Sequence, residues 1–141
     1  MIVVVDSGVW ISAIEFGGTP AAALERIFLI DDLVICTQIE DEVLRVLQDK
    51  FGRDRGLIEQ RLTALLSQAM RVEVTGEVKG VCRDPNDDCI LECALKAGAE
   101  LIVSGDKDLL ALEVYRTIRL VTCRQYLDLI PAGTMSGLLQ G

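Results

Sequence analysis

Short apolar runs alternate with longer amphipathic stretches along almost the whole chain, beginning with IVVV at residues 2–5. Apolar runs of this length without polar alternation read as strands buried on both faces, and the periodic stretches between them as crossover helices. The pattern predicts strands at IVVV (2–5), LVIC (33–36), ELIVS (100–104) and IRLVT (118–122), with a shorter one at RVEV (71–74). Thr19 and Pro20 suit the N-cap and first turn of an alanine- and leucine-rich helix. Thr37 and Glu40 have capping-box spacing for a helix to about Lys50. Leu57, Ile58, Leu62, Leu65 and Leu66 share one side of a helix over 57–69. A helix over 85–97 stops at Gly98, GDKDLLAL opens a short one, and CRQYLDLI forms the last. The expected fold class is α/β, a three-layer α/β/α arrangement around a central, mainly parallel twisted sheet.

Size and composition narrow this picture. The 141 residues are enough for one core, so residues 1–130 are expected to form a single domain, with 131–141 as a flexible tail. No run approaches the ~18–20 apolar residues of a membrane span, and no basic region precedes the first apolar stretch. A cytoplasmic protein without membrane contact is expected. The five cysteines include no CxxC pair and lie mostly in apolar stretches, as reduced buried thiols do. Cys89 and Cys93, four apart on one helix, read the same way rather than as a zinc site. Histidine is absent, which excludes imidazole acid/base catalysis and histidine metal ligation. The formal charge of −8 supplies carboxylates instead.

Those carboxylates fall at telling places. Ligands of open parallel sheets bind beyond the carboxyl ends of the strands. Asp6 directly follows IVVV, Asp106 follows ELIVS after Ser104–Gly105, and Glu42 lies in the helix after LVIC. The segment RDPNDDCILECA adds Asp84, Asp87 and Asp88 at a helix start. Each has a plainer reading: Asp6 as the cap of the turn DSG, Asp106 as the cap of the helix from Lys107, Glu42 as part of a solvated face. Asp84 before Pro85 is a natural helix cap, and Asp87 a first-turn acid. Asp88 is harder to explain by capping, lying three residues before Leu91 and six before Ala94. Two carboxylates ~4 Å apart repel by roughly 4 kcal/mol at an effective dielectric near 20. Four converging acids therefore need cations, and oxygen-only ligands point to Mg²⁺ or Mn²⁺.

Taken in order, VVVDSG, Glu42 in ICTQIEDEVLRVL, RDPNDDCILECALKAG and LIVSGDKDLLAL resemble the PIN-domain ribonucleases, closest to the bacterial VapC-type toxins of toxin–antitoxin pairs. The resemblance runs from Ile2 to about Ile130. It implies catalytic acids at Asp6, Glu42, Asp88 and Asp106, with Asp6, Asp88 and Asp106 as metal ligands. It further implies supporting roles for Ser7, Ser104, Asp108 and Asp87. The implied activity is Mg²⁺- or Mn²⁺-dependent endonucleolytic hydrolysis of RNA, leaving a 5′-phosphate and a 3′-hydroxyl. The implied partners are RNA, an antitoxin protein and a second copy in a homodimer. Lys50, Arg53, Arg55 and Lys107, with Arg83, are candidate RNA phosphate contacts. Gly8 departs from the asparagine often found there in the family. The competing reading is accordingly a catalytically weakened PIN-fold module acting through protein or RNA binding. A magnesium-dependent phosphatase or receiver domain would carry Asp-x-Asp after the first strand, which DSGVW lacks.

Overall fold

The computed structural model describes residues 1–129; the tail expected over 131–141 lies outside the described residues. Four apolar strands form the centre: β1 (Ile2–Val5), β2 (Asp32–Ile35), β4 (Leu101–Val103) and β6 (Ile118–Val121). Their Val, Leu and Ile side chains are almost completely buried because helices cover both faces of the sheet. Two short edge strands, β3 (Met70–Arg71) and β5 (Val114–Tyr115), complete the order β3-β2-β1-β4-β6-β5. Every pairing is parallel except β5 with β6. The result is the expected three-layer α/β/α arrangement.

The strand order reverses direction about β1. From there the chain steps outward through β2 and β3 on one side and through β4 and β6 on the other. The carboxyl ends of β1 and β4, in register at Val5 and Val103, therefore border the switch point, where crossover helices diverge and leave a crevice.

Among the described residues seven helices surround the sheet: α1 (Ser7–Phe16), α2 (Gly18–Ile30), α3 (Thr37–Phe51), α4 (Arg55–Leu66), α5 (Pro85–Ala97), α6 (Lys107–Leu110) and α7 (Cys123–Asp128). Side-chain caps mark several starts: Asp6 for α1, Asp54 for α4, Asp84 for α5, Asp106 for α6, and a full capping box of Thr122 and Gln125 for α7. Gly98, at φ 67°, ends α5 in the left-handed conformation that glycine adopts without Cβ strain.

The departures from the sequence pattern have local causes. Asp6 caps a whole helix rather than a turn. The consecutive glycines 17 and 18, both at positive φ, separate α1 from α2, so α2 starts at Gly18 and Thr19 is not its cap. Cys36 occupies the N-cap of α3 without a side-chain bond, and Glu40 pairs with Arg71 instead of closing a capping box with Thr37. Asp54 starts α4 two residues earlier than expected, and the helix ends at Leu66. RVEV contributes only Arg71 to β3; the Val72 amide still donates to the Ile35 carbonyl, and further on the amides of Thr75 and Val78 donate to Glu92 of α5. Trp10 is buried and meets Phe28 edge-on, whereas Phe16 is 76% exposed and pairs edge-on with Phe51.

Among the described residues no helix is long and apolar enough to cross a membrane. The five cysteines are free thiols, buried or half-buried.

Candidate active site

At the switch point the chain builds a cleft of about 380 Å³, lined by Asp6, Ser7, Gly8, Ser12, Glu42, Asp84, Asn86, Asp87, Ile90, Gly105 and Asp106. Four separate segments contribute acids to it. β1 and α1 bring Asp6, α3 brings Glu42, the first turn of α5 brings Asp84 and Asp87, and the loop after β4 brings Asp106.

Asp6 is buried, and each of its carboxylate oxygens is held. Oδ1 accepts from the Val9 amide at 2.9 Å, the cap of α1, and Oδ2 accepts a short hydrogen bond from the Ser104 hydroxyl. The Ser104 oxygen in turn accepts from the Asp106 amide at 2.9 Å. One buried serine thus fixes the acid after β1 and the backbone of the acid after β4. Asp106 uses Oδ1 to cap α6, accepting from the amides of Asp108 at 2.8 Å and Leu109 at 3.4 Å. Asp108 itself is exposed and stands outside the cleft lining. Asp84 caps α5 through the Asn86 amide at 2.9 Å, as the Asp-Pro pair predicts.

The electrostatics follow from the crowding. Burial pushes the Asp6 carboxyl above its usual range, against hydrogen bonds from Ser104 and Val9 that lower it; Asp106 and Glu42 add to the rise. Asp87 is pushed up to about 7, first by burial and then by the charges of Asp106, Asp84, Asp6 and Asp108. Among the described residues no three acids or thiols form a ready-made cage for an ion. The acids are spread around the cleft walls, as like charges without a counter-charge are.

Of the two adjacent acids in the first turn of α5, the structure brings Asp87 into the cleft lining and not Asp88. Asp88 was expected in the metal site, yet it is not among the residues lining the cleft, and both its oxygens are taken up by backbone amides. They accept from the amides of Cys82 at 2.8 Å and Gly80 at 3.1 Å, in the loop before α5. Helical geometry explains the exchange. Asp87 lies three, four and seven residues before Ile90, Leu91 and Ala94, all buried, so it projects with them toward the core end of the cleft. Asp88 lies four residues before Glu92, and both serve the loop. The i, i+3, i+4 spacing to Ile90 and Leu91 was the sequence signal for Asp87.

Glu92 carries no functional mark in the sequence, yet it is 1% exposed and accepts from the amides of Thr75 at 2.7 Å and Val78 at 3.0 Å, with Lys96 at 3.2 Å. Burial opposes its charge, but these donors outweigh it and carry the carboxyl down to about 2.

None of the expected RNA-binding cations Lys50, Arg53, Arg55 and Lys107 lines the acidic cleft. Lys50, Arg55 and Lys107 are exposed. Arg53 is engaged elsewhere, donating to both oxygens of Glu15 at 2.8 and 3.2 Å, so its charge is already matched.

A PIN domain family model matches residues 2–108, a span that holds every acid of the cleft. No curated protein matches the sequence. Among solved structures, VapBC2 from Rickettsia felis, bound to a DNA fragment from its promoter, aligns with a TM-score of 0.63 at 16% identity, over 86% of this chain and 98% of that one. VapC20 from Mycobacterium tuberculosis, a toxin that cleaves the sarcin-ricin loop, gives 0.60 at 13% identity, over 83% and 98%. PAE2754 from Pyrobaculum aerophilum gives 0.59 at 20%, over 90% and 87%. At such identities these likenesses establish the fold, and the family follows from the sequence match over well more than half the length: the chain belongs to the PIN domain family.

Proposed function

We propose that this PIN-domain protein is a divalent-metal-dependent endoribonuclease, the toxin of a toxin–antitoxin pair, with RNA phosphodiester hydrolysis at the acidic cleft. One observation carries the reading: Asp6, Glu42, Asp87 and Asp106 come from four separate segments to one cleft at the switch point of the sheet. Structural acids have no need to meet, and a phosphate-binding site without metal would not be lined with carboxylates.

The donor set fits Mg²⁺ or Mn²⁺, being all oxygen, with neither histidine nor a cysteine in the lining. In the proposal Asp6, Asp87 and Asp106 hold the ion or ions, and Glu42 orients the attacking water or completes the ligand set. Bound there, the metal supplies a water acidic enough to lose its proton near neutral pH and charge neutralisation at the leaving 3′ oxygen. Ser104 keeps Asp6 and the Asp106 backbone in fixed relation by its two hydrogen bonds. Ser7, buried at the first position of α1, borders the same cleft.

The antitoxin half of the proposal has its own support. Beside α1 and α4 lies a second cleft of about 260 Å³, lined by Ile14, Leu57, Ile58, Leu62 and Leu65 with Arg53 and Arg61 at its edge. It adjoins a surface on which Phe28 and Leu29 are also exposed, and contiguous exposed apolar side chains of this kind mark interaction sites.

The test is cleavage of a mixed RNA pool with Mn²⁺ by the native chain, Asp6→Asn and Asp87→Asn. Asparagine still caps α1 at position 6, so loss of cleavage in a folded Asp6→Asn protein is chemical rather than structural. Equal activity in all three proteins refutes the nuclease reading.

A further inference from the structure

Asp88 and Glu92 stand one turn apart on α5, and neither belongs to the cleft. Between them they engage four backbone amides of the segment before the helix: Thr75 and Val78 on Glu92, Gly80 and Cys82 on Asp88. Both carboxylates are at least nine-tenths buried. This is an unusual investment for a stretch without regular structure, since Val72–Asp84 forms neither helix nor strand. The segment is bound in one conformation onto the helix that delivers Asp87.

The clasp ends at Cys82. The next residue, Arg83, is exposed, and the one after it, Asp84, lines the acidic cleft. Arg83 forms no salt bridge among the described residues, unlike Arg53 and Arg71, which are paired with Glu15 and Glu40. Arg83 is thus an exposed cation without a salt bridge, next in the chain to a residue of a strongly acidic cleft and on a backbone pinned one residue earlier, which suits it to meet an anion from outside.

We propose that Asp88 is a positioning residue: by holding the amides of Gly80 and Cys82 it fixes Arg83 at the rim of the cleft, where Arg83 contacts an RNA phosphate flanking the one at the metal site. This rests on the nuclease reading for the identity of the anion, and it adds a substrate contact and the device that holds it. An arginine on a mobile loop would lose part of its binding energy to ordering that loop; the clasp removes that loss before RNA arrives.

The test uses the full chain and a fluorescent oligoribonucleotide, with binding measured by anisotropy in Ca²⁺, an oxygen-seeking ion that offsets the charge of the acidic cleft, and cleavage in Mn²⁺. Arg83→Ala and Asp88→Ala are each expected to weaken RNA binding by about tenfold, the worth of one good contact. They should raise KM by the same factor and leave kcat within about twofold. The double variant should be no weaker than either single one, because both remove one contact. Mn²⁺ affinity, titrated with MnCl₂ alone, should be unchanged in Asp88→Ala and lost in Asp87→Asn. Hydrogen exchange should quicken over residues 75–83 in Asp88→Ala while α5 stays protected. If Asp88→Ala does not fold, Asp88→Asn, which retains one acceptor, should show the same pattern in weaker form.

Loss of Mn²⁺ binding in Asp88→Ala or Asp88→Asn would make Asp88 a ligand and overturn the proposal. So would additive losses in the double variant, or a fall confined to kcat. A native protein that binds the oligonucleotide but does not cleave it refutes the nuclease reading alone, since the binding cycle still reports the coupling of Asp88 to Arg83. A native protein that binds no RNA overturns both.

Discussion

Replacing Glu92 with glutamine changes one atom and should be costly. The carboxylate is buried and accepts two amides, from Thr75 and Val78, beside Lys96 at 3.2 Å. A glutamine can turn its oxygen to one amide only, and its NH₂ then opposes the other. A buried amide left unpaired costs ~1–3 kcal/mol, and the remaining bond weakens because the acceptor is no longer charged. The partly exposed Lys96 pair adds little to this. Glu92→Gln should therefore lose about 2–4 kcal/mol, a large part of the ~5–15 kcal/mol typical of a domain. Urea unfolding followed by the fluorescence of the single, buried Trp10 should show a midpoint lowered by ~1–2 M, for a slope near ~2 kcal/mol per M. The loss should depend on pH in a defined direction. Glu92 is depressed from 4.5 to about 2 in the fold, so its contribution is complete above pH 4.5 and disappears as pH falls through about 2. The gap between native and variant should shrink across that window. A Glu92→Gln protein within ~0.5 kcal/mol of native at pH 7, the range of an ordinary surface change, would refute the reasoning; so would a gap that stays constant from pH 5 down to pH 2.5.

Three further outcomes are expected. Asp87 has the opposite sign: its carboxyl rises from 3.8 to about 7 on folding, so in EDTA it stabilises the fold fully below pH 3.8 and loses that contribution as pH climbs through about 7. Asp87→Asn should accordingly be more stable than native at pH 8 and gain little at pH 4 in thermal unfolding, with excess Mn²⁺ stabilising the native protein selectively. Gly8→Asn should fold and cleave RNA at least as fast as native, because a Cβ there meets only Asp6 Oδ1, at an ordinary 3.6 Å; a calorimetric loss above ~1 kcal/mol would show that the space is not available, since asparagine is the better helix residue. Arg53→Ala should leave RNA affinity unchanged and stability nearly so, since Arg53 is exposed and spent on Glu15; a severalfold rise in the RNA dissociation constant would return Arg53 to the binding surface.

The central strands were legible because burial on both faces leaves an unbroken apolar run, as in IVVV, and the start of α5 because Asp84–Pro85 is a local signal. Helix α1 was less so. SGVWISAIEF has few strong helix formers, and it is set by Asp6 below it, the two glycines after it and the packing of Trp10. The β5 edge was illegible for a different reason: two residues carry no periodicity, and only pairing with β6 defines them. At the site, position after a strand pointed to Asp6 and Asp106, and both line the cleft. Choosing between Asp87 and Asp88 required knowing which side of α5 faces the sheet, and the apolar residues alone span enough of the helix to permit either. The loop that claims Asp88 lies up to eight residues away in sequence and has no pattern of its own, so its four amide bonds appear only in three dimensions.

Asp6, Asp84 and Asp106 each cap a helix while lining the cleft. Asparagine caps a helix as well as aspartate does, and one base change in a codon separates the two. At these three positions a single nucleotide change can remove a charge from the cleft and leave the helix start intact. Under the proposed nuclease reading, such a lineage loses the chemistry without losing the fold or the apolar cleft beside α1 and α4.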